Sequence, residues 1–276
     1  MTVSTPTTVT RTFDLRGGLS VTVTEHGDAA AGEGTGVLML HGGAGPRSMA
    51  GFAAAMSEHV YVISPTHPGF DGTPRPESLD SIADLATAYL DLLDALDLTT
   101  VMVIGNSIGG WIAAEMAVRD NHRRLGAVVL VNAVGIHVIK EENQVVDIRK
   151  INPADIGKLS FANEALRPDF SKFTPEQRAA AAANQQTLAL YGGEYFTYDP
   201  KLRGRLHRVE LPVLVIWGEA DGIAPLGYGR GYAGLFPNGH FTPIPEAGHL
   251  PQIEQTGATI GAVFNFVQTV IRPDED

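Results

Sequence analysis

The sequence predicts an α/β protein with a mostly parallel, doubly wound sheet, an N-terminal antiparallel hairpin and an inserted helical cap. Three observations carry this prediction. Short, continuously apolar runs alternate with segments of helix length, a pattern of alternating polarity precedes them, and the strand–helix alternation stops after Val134 and resumes at Leu211. A chain of 276 residues is long enough for one such core with an insertion.

The predicted elements follow in chain order. Residues 13–25 alternate around a Gly17-Gly18 turn, which is typical of a hairpin at the edge of a sheet. Runs rich in Val and Ile, typical of strands covered on both faces, lie at 37–40, 60–64, 101–104, 127–131 and 213–217. Helices are predicted at 49–57, 81–96, 110–118, 226–235 and, as the last element, 253–271. This alternation indicates a parallel sheet with helices on both faces.

The stretch without a strong strand signal predicts a helical cap. We place it at residues 135–207, inserted into a core formed by residues 1–134 and 208–276. Its clearest helix covers 175–190, because Thr174 is a suitable N-cap and Pro175 a suitable first helical residue.

Composition excludes several classes of protein. The net charge of −11 provides no basic surface for phosphates, so we expect no nucleic-acid partner. The absence of cysteine removes disulfides, thiolate nucleophiles and Cys-ligated zinc. Residues 1–12 contain no apolar core of a signal peptide, and no apolar run is long enough to span a bilayer. We therefore expect a cytoplasmic monomer or homodimer that does not bind membranes and acts on a small molecule.

A Gly-x-Ser-x-Gly pattern at residues 105–109 carries the first chemical signal. It directly follows a predicted strand and precedes a predicted helix, which is the context of a nucleophile elbow. Glycines two residues before and after Ser107 prevent collisions in such a tight turn. A glycine-rich chain can also produce this pattern by chance, as a loop with a capping serine, but its placement favours a nucleophile.

A serine nucleophile needs a base, and the base needs an acceptor that orients it. His249 lies in a loop before the last predicted helix, and Asp221 lies just after the predicted strand at 213–217. Glu219 is the alternative acid, whereas Asn132, after the preceding strand, has no carboxylate. The expected chain order is therefore Ser107, Asp221, His249.

With these motifs, the chain resembles the α/β-hydrolase family along nearly its whole length, except in the cap. The resemblance implies that Ser107 attacks a carbonyl, that His249 transfers the proton, and that Asp221 fixes the imidazole tautomer. The glycine-rich segment after the strand at 37–40 resembles the family's oxyanion loop. We assign the oxyanion hole to the backbone N–H groups of Gly43 and Ile108.

Other histidines are expected to be structural. His41 is expected to organise the oxyanion loop, and His67 stands where relatives often carry Asp before a Pro-Gly pair. No His-Glu-x-x-His spacing and no Gly-x-Gly-x-x-Gly after the first strand occur, so no metal and no cofactor are expected. The candidate substrate pocket contains Gly42, Asn106, Trp111, Tyr191, Phe196 and Leu250.

The sequence leaves three functions open. The first is hydrolysis of a small, fairly apolar carboxylic ester or lactone through an acyl-enzyme. The second is cleavage of a carbon–carbon bond in a vinylogous diketone ring-fission product, against which Leu250 argues, because such hydrolases usually carry Trp directly after the histidine. The third is a non-catalytic ligand-binding protein on the same scaffold.

Overall fold

The computed structural model describes residues 8–29, 34–138 and 141–271. Eight strands form one sheet: β1 (Thr8–Asp14), β2 (Ser20–His26), β3 (Val37–Leu40), β4 (Val62–Pro65), β5 (Val101–Asn106), β6 (Leu125–Val131), β7 (Val213–Gly218) and β8 (Gly239–Ile244). Their order across the sheet is β1-β2-β4-β3-β5-β6-β7-β8. The pairs β1–β2 and β2–β4 are antiparallel and the other pairs are parallel. The predicted hairpin and mostly parallel sheet are confirmed.

Both faces of the sheet are buried. Along β3, Leu38 and Leu40 belong to one hydrophobic cluster, while Val37 and Met39 belong to a second. Because successive side chains of a strand point to opposite faces, the two clusters lie on opposite sides of the sheet. This explains why the central strands are continuously apolar rather than alternating.

Eight α-helices surround this sheet in the described part of the chain. They are α1 (Arg47–Met56), α2 (Ile82–Ala95), α3 (Ile108–Arg119), α4 (Pro153–Ser160), α5 (Pro175–Gly192), α6 (Leu226–Ala233), α7 (Pro251–Glu254) and α8 (Thr256–Phe266). Buried residues of α2, α3 and α6 join the first cluster, whereas those of α1 and α8 join the second. Helices on both faces make the sheet doubly wound, as predicted.

The segment between β6 and β7 is helical. It contains α4, α5 and short 3₁₀ turns. Thr174 caps α5: its side chain accepts a hydrogen bond from the Gln177 N–H, and Gln177 reciprocates. The predicted start of α5 is thus correct, while the division into a core and a cap at residues 135 and 207 stays a prediction.

The last predicted helix is wrong as one continuous element. Gln255 has φ −135° and ψ 54°, which separates α7 from α8, and a π-helical turn, Val267–Ile271, follows α8. The Gln255 N–H donates to the Pro251 carbonyl at 2.8 Å and closes the last turn of α7. Within the described ranges, the helices are all too short or too polar to cross a membrane.

Candidate active site

Ser107 occupies the sharp turn between β5 and α3. Its backbone has φ 56° and ψ −118°, a conformation that residues with a side chain rarely adopt. Backbone hydrogen bonds hold the turn: the Ser107 N–H donates to the Val131 carbonyl at 3.0 Å, and the Ser107 carbonyl accepts from N–H groups that include that of Gly110, at 3.0 Å. A strained residue kept at a strand end by its surroundings is a common feature of functional sites.

The glycines that flank Ser107 have no space for a side chain. A Cβ on Gly105 would lie 2.1 Å from the Gly109 carbonyl oxygen, and a Cβ on Gly109 would lie 2.3 Å from the Leu40 carbonyl oxygen. Strand, turn and helix are therefore packed backbone against backbone. This close approach is the physical reason for the Gly-x-Ser-x-Gly spacing.

His249 and Asp221 form a buried hydrogen-bonded pair. Nδ1 of His249 lies 2.8 Å from Oδ2 of Asp221, and the two residues are 6% and 8% exposed. Oδ1 of Asp221 accepts from the N–H groups of Ile223 at 2.7 Å and Ala224 at 3.0 Å. A carboxylate can only accept hydrogen bonds. The bond to Asp221 therefore uses a proton on Nδ1 of His249, which leaves Nε2 with a free lone pair. Glu219 is exposed.

Asn132 completes the surroundings of Asp221, and sequence reasoning missed this role. The Asn132 side chain is fully buried, and its Nδ2 donates to Oδ2 of Asp221 at 2.7 Å. Its Oδ1 accepts from the Gly218 N–H at 3.1 Å, which fixes the orientation of the amide. The signal in the sequence was an asparagine directly after a buried strand that neighbours the acid-bearing strand. The amide supports the carboxylate rather than replacing it.

The serine and histidine loops are joined through Asn106. Its Nδ2 donates to the carbonyl oxygens of Val131 and His249, both at 3.1 Å. In the described residues the His249 ring bonds to Asp221 and has no hydrogen bond to Ser107. Such contacts often tighten only when substrate is bound.

The two N–H groups assigned to the oxyanion hole are free to donate. The N–H of Ile108 is the first of α3, and neither it nor the Gly43 N–H donates a hydrogen bond within the described part of the chain. Gly42, which precedes Gly43, lies against the serine, since a Cβ on Gly42 would lie 3.0 Å from Cβ of Ser107. Free donors beside a nucleophile and at a helix N-terminus suit a developing negative charge.

A buried histidine pair supports the oxyanion loop. His41 donates from Nδ1 to the Gly42 carbonyl at 2.8 Å and accepts at Nε2 from the His67 N–H at 3.0 Å. Nε2 of His67 donates to the His41 carbonyl at 2.8 Å, and Nδ1 accepts from the Tyr89 hydroxyl at 2.5 Å. The ring centroids are 3.7 Å apart, and the ring planes are tilted by 31°. These hydrogen bonds hold both histidines as neutral tautomers, and through them the pair supports the oxyanion loop.

Burial disfavours the charged form of both rings. It lowers the pKa of His41 to about 4, against smaller opposing effects of the Gly42 carbonyl and Asp71. It also lowers the pKa of His67 well below the usual value, and the adjacent His41 lowers it further. At neutral pH the pair is uncharged.

The six candidate pocket residues are all buried. Trp111 packs its indole against Gly135, and its Nε1 has no hydrogen-bond partner among the residues that the structure describes. Tyr191 donates its hydroxyl to the Pro68 carbonyl at 2.8 Å, and the Phe196 ring packs against Gly192. Leu250 is the N-cap of α7. Their contact with substrate stays a prediction.

The end of α4 contacts both the acid loop and the base loop. The carbonyl of Leu159 accepts from the Gly222 N–H at 3.0 Å, and the carbonyl of Ser160 accepts from the His249 N–H at 2.7 Å. The helical segment between β6 and β7 therefore helps to position the two loops. It does not merely lie above them.

A second link joins this helical segment to the histidine loop. Glu254 accepts from the N–H groups of Asn163 at 2.8 Å and Gly248 at 2.6 Å.

Within the described ranges, histidine, aspartate and glutamate side chains form no group of three arranged to hold a metal ion.

Comparison with known proteins assigns the chain to a family. The model of the alpha/beta hydrolase family matches residues 37–262, which include Ser107, Asp221 and His249. The chain belongs to the alpha/beta hydrolase family. This confirms both the predicted fold class and the resemblance read from the motifs.

Named relatives of this alpha/beta hydrolase include two kinds of enzyme. A 2-hydroxy-6-oxo-2,4-heptadienoate hydrolase from Pseudomonas putida is 28% identical over 259 residues, covering 86% of this chain and 90% of the relative. A pimeloyl-[acyl-carrier protein] methyl ester esterase from Chromobacterium violaceum is 26% identical over 257 residues, covering 86% and 96%. Both are hydrolases, as predicted for this chain.

Among solved structures, an esterase from Exiguobacterium antarcticum superposes on this alpha/beta hydrolase with a TM-score of 0.74. The match covers 94% of this chain and all of the esterase chain, at 18% sequence identity. At that identity the likeness shows the fold alone.

Proposed function

We propose that this alpha/beta hydrolase cleaves a small, fairly apolar carboxylic ester or lactone through an acyl-enzyme. Ser107 is the nucleophile, His249 the base and Asp221 the orienting acid. The observation that carries the proposal is the buried hydrogen bond from His249 Nδ1 to Asp221 Oδ2, at the same edge of the sheet as the strained serine.

Acylation follows from the tautomer of His249. Because Nδ1 donates to Asp221, Nε2 accepts the Ser107 hydroxyl proton as Oγ attacks the carbonyl carbon. The carbonyl oxygen becomes negative and is stabilised by the N–H groups of Gly43 and Ile108. The carbon–oxygen bond to the alcohol then breaks, and the imidazolium gives its proton to the departing alkoxide. The products of this half-reaction are an acyl-serine and an alcohol.

Deacylation uses the same groups with water as the nucleophile. His249 takes a proton from water, the resulting hydroxide attacks the acyl carbon, and the oxyanion forms again at Gly43 and Ile108. Collapse returns the proton from His249 to the Ser107 oxygen and releases the carboxylic acid. For a lactone, the alcohol and the acid are parts of one product.

The surroundings of the site favour an uncharged substrate. The candidate pocket side chains Trp111, Tyr191 and Phe196 belong to the main hydrophobic cluster. Arg149 lies over the Phe196 ring, 4.3 Å from its centroid, but its guanidinium is paired with Asp147 at 2.8–2.9 Å. A cation already neutralised in this way is poorly suited to bind a substrate carboxylate.

Carbon–carbon bond hydrolysis is the second candidate. It is favoured by the relative from Pseudomonas putida, whose name denotes hydrolysis of a 2-hydroxy-6-oxo-dienoate. Leu250, which follows His249 where such hydrolases usually have Trp, argues against it. An ester or lactone substrate therefore remains the main proposal.

A substrate panel separates the two candidates. The purified chain is assayed with chromogenic esters and lactones of graded size and with a vinylogous diketone, beside a Ser107→Ala control. We expect ester or lactone turnover that the control lacks. Turnover of the diketone alone would assign the second function, and ligand binding without any turnover would assign a binding protein.

We further propose that the protein acts on a small molecule, is cytoplasmic and is a monomer or homodimer. The net charge of −11 supports the absence of a nucleic-acid partner. Light scattering coupled to gel filtration measures the oligomeric state, and a mass above that of a dimer would contradict the expectation.

A further inference from the structure

One face of α5 is fastened to the loop that follows β4. Asn184 and Asp71 exchange two hydrogen bonds, both 2.8 Å long: Nδ2 of Asn184 donates to Oδ1 of Asp71, and the Asp71 N–H donates to Oδ1 of Asn184. The Thr187 hydroxyl donates to the Gly69 carbonyl at 3.0 Å. Together with the Tyr191 hydroxyl bond described above, these contacts recur at helical spacing and fix the rotation of α5 about its axis.

Leu188 lies on this fastened face and covers the oxyanion loop. It is 3% exposed, and its Cδ2 lies 2.6 Å from the position that a Cβ on Gly43 would take. Its methyl groups therefore pack directly on the backbone of Gly43, and the preceding residue, Gly42, adjoins the Ser107 side chain. A substrate whose carbonyl oxygen reaches the Gly43 N–H must place a neighbouring group against Leu188.

From this geometry we propose that Leu188 is a specificity-determining residue, which limits the size of the substrate group beside the oxyanion loop. The proposal rests on the proposed ester or lactone hydrolysis at Ser107. The hydrogen bonds of Asn184, Thr187 and Tyr191 keep the Leu188 side chain in place, so that it sterically excludes longer substrate groups. Substrate size is thus set by one leucine on α5.

The test measures selectivity rather than activity alone. Leu188→Ala is assayed with p-nitrophenyl esters from acetate to octanoate, which vary the acyl group, and with acetate esters of graded alcohols, which vary the other side. We expect kcat/KM for the longest member relative to the shortest to rise about tenfold or more in one of the two series, since each methylene accommodated in an apolar pocket changes this ratio by about tenfold or more. Leu188→Phe should lower the same ratio.

Leu190→Ala is the matched control, because Leu190 is on the same helix but is 39% exposed. The same side-chain deletion there should leave both selectivity ratios within about twofold of the wild type, the spread expected for a surface change of less than 0.5 kcal/mol. Ratios for Leu188→Ala that equal those of Leu190→Ala in both series would overturn the proposal. If Leu188→Ala does not fold, Leu188→Val, which removes one methylene, must shift the ratio in the same direction.

Labelling with a small fluorophosphonate tests the nucleophile separately from the role of Leu188. A wild type that reacts at Ser107, beside a Leu188→Ala variant with unchanged selectivity, refutes the role of Leu188 and leaves the proposed function standing. A folded wild type that does not react refutes the proposed function itself.

Discussion

Replacing His41 with asparagine removes a buried group that must stay neutral in the folded chain. Folding lowers the pKa of His41 from 6.5 to about 4, mainly because burial disfavours its charged form. Between these two values the unfolded chain binds a proton that the folded chain does not, so stability falls as the pH drops from 6.5 to about 4. One pKa unit corresponds to about 1.4 kcal/mol, so the full loss from this residue is about 3 kcal/mol.

Urea unfolding between pH 7 and pH 4, followed by circular dichroism, measures this effect. The free energy of unfolding of the wild type should fall more steeply than that of His41→Asn, with the difference between them changing by about 3 kcal/mol over the window. Thr187→Val, which removes a hydroxyl bonded to the Gly69 carbonyl and no titrating group, should shift the curve without changing its slope. Parallel curves for the wild type and His41→Asn would refute the neutral buried pair.

Three further substitutions, the last with a matched control, test the site and the packing around it. Asp221→Asn should lower kcat for the best ester by about four orders of magnitude, because the imidazole is held in the wrong tautomer; near-normal turnover would reassign the acid to another carboxylate. Asn132→Leu should lower the free energy of unfolding by about 2–4 kcal/mol, because the buried Gly218 N–H loses its acceptor and Asp221 loses a donor; urea midpoints equal to those of the wild type would contradict this. Gly109→Ala should lower the free energy of unfolding by about 3 kcal/mol or more, because the new Cβ collides with backbone atoms. Gly257→Ala is the control: a Cβ there meets nothing within 4 Å, so the change should not destabilise α8. Equal thermal stability of these two variants would contradict the close packing at Gly109.

The parts of the site that the sequence could predict are those set by local patterns. The position of Ser107 on a tight strand-to-helix turn can be predicted, because the strand, the glycine spacing and the helix that form this turn are contiguous in the chain. Asp221 and His249 followed because the carboxyl ends of parallel strands meet at one edge of a sheet. The structure brings this acid and this base within hydrogen-bond distance, 28 residues apart in the chain.

Contacts that depend on distant packing were not visible. The hydrogen bond between Asn132 and Asp221 joins residues 89 positions apart, and that between Asn184 and Asp71 joins residues 113 positions apart. No local sequence pattern predicts either one. The break at Gln255 was also missed, because the apolar pattern on both sides is helical and only the backbone dihedrals of one residue differ. Side-chain periodicity predicts elements well and predicts the partners of single amides poorly.

Covalent labelling by a fluorophosphonate, followed by intact-mass and peptide analysis, measures most directly whether Ser107 is an activated nucleophile. We expect one adduct per chain, located on Ser107, and no adduct on a folded Ser107→Ala variant. A folded wild type that remains unmodified, or an adduct on another residue, would contradict it.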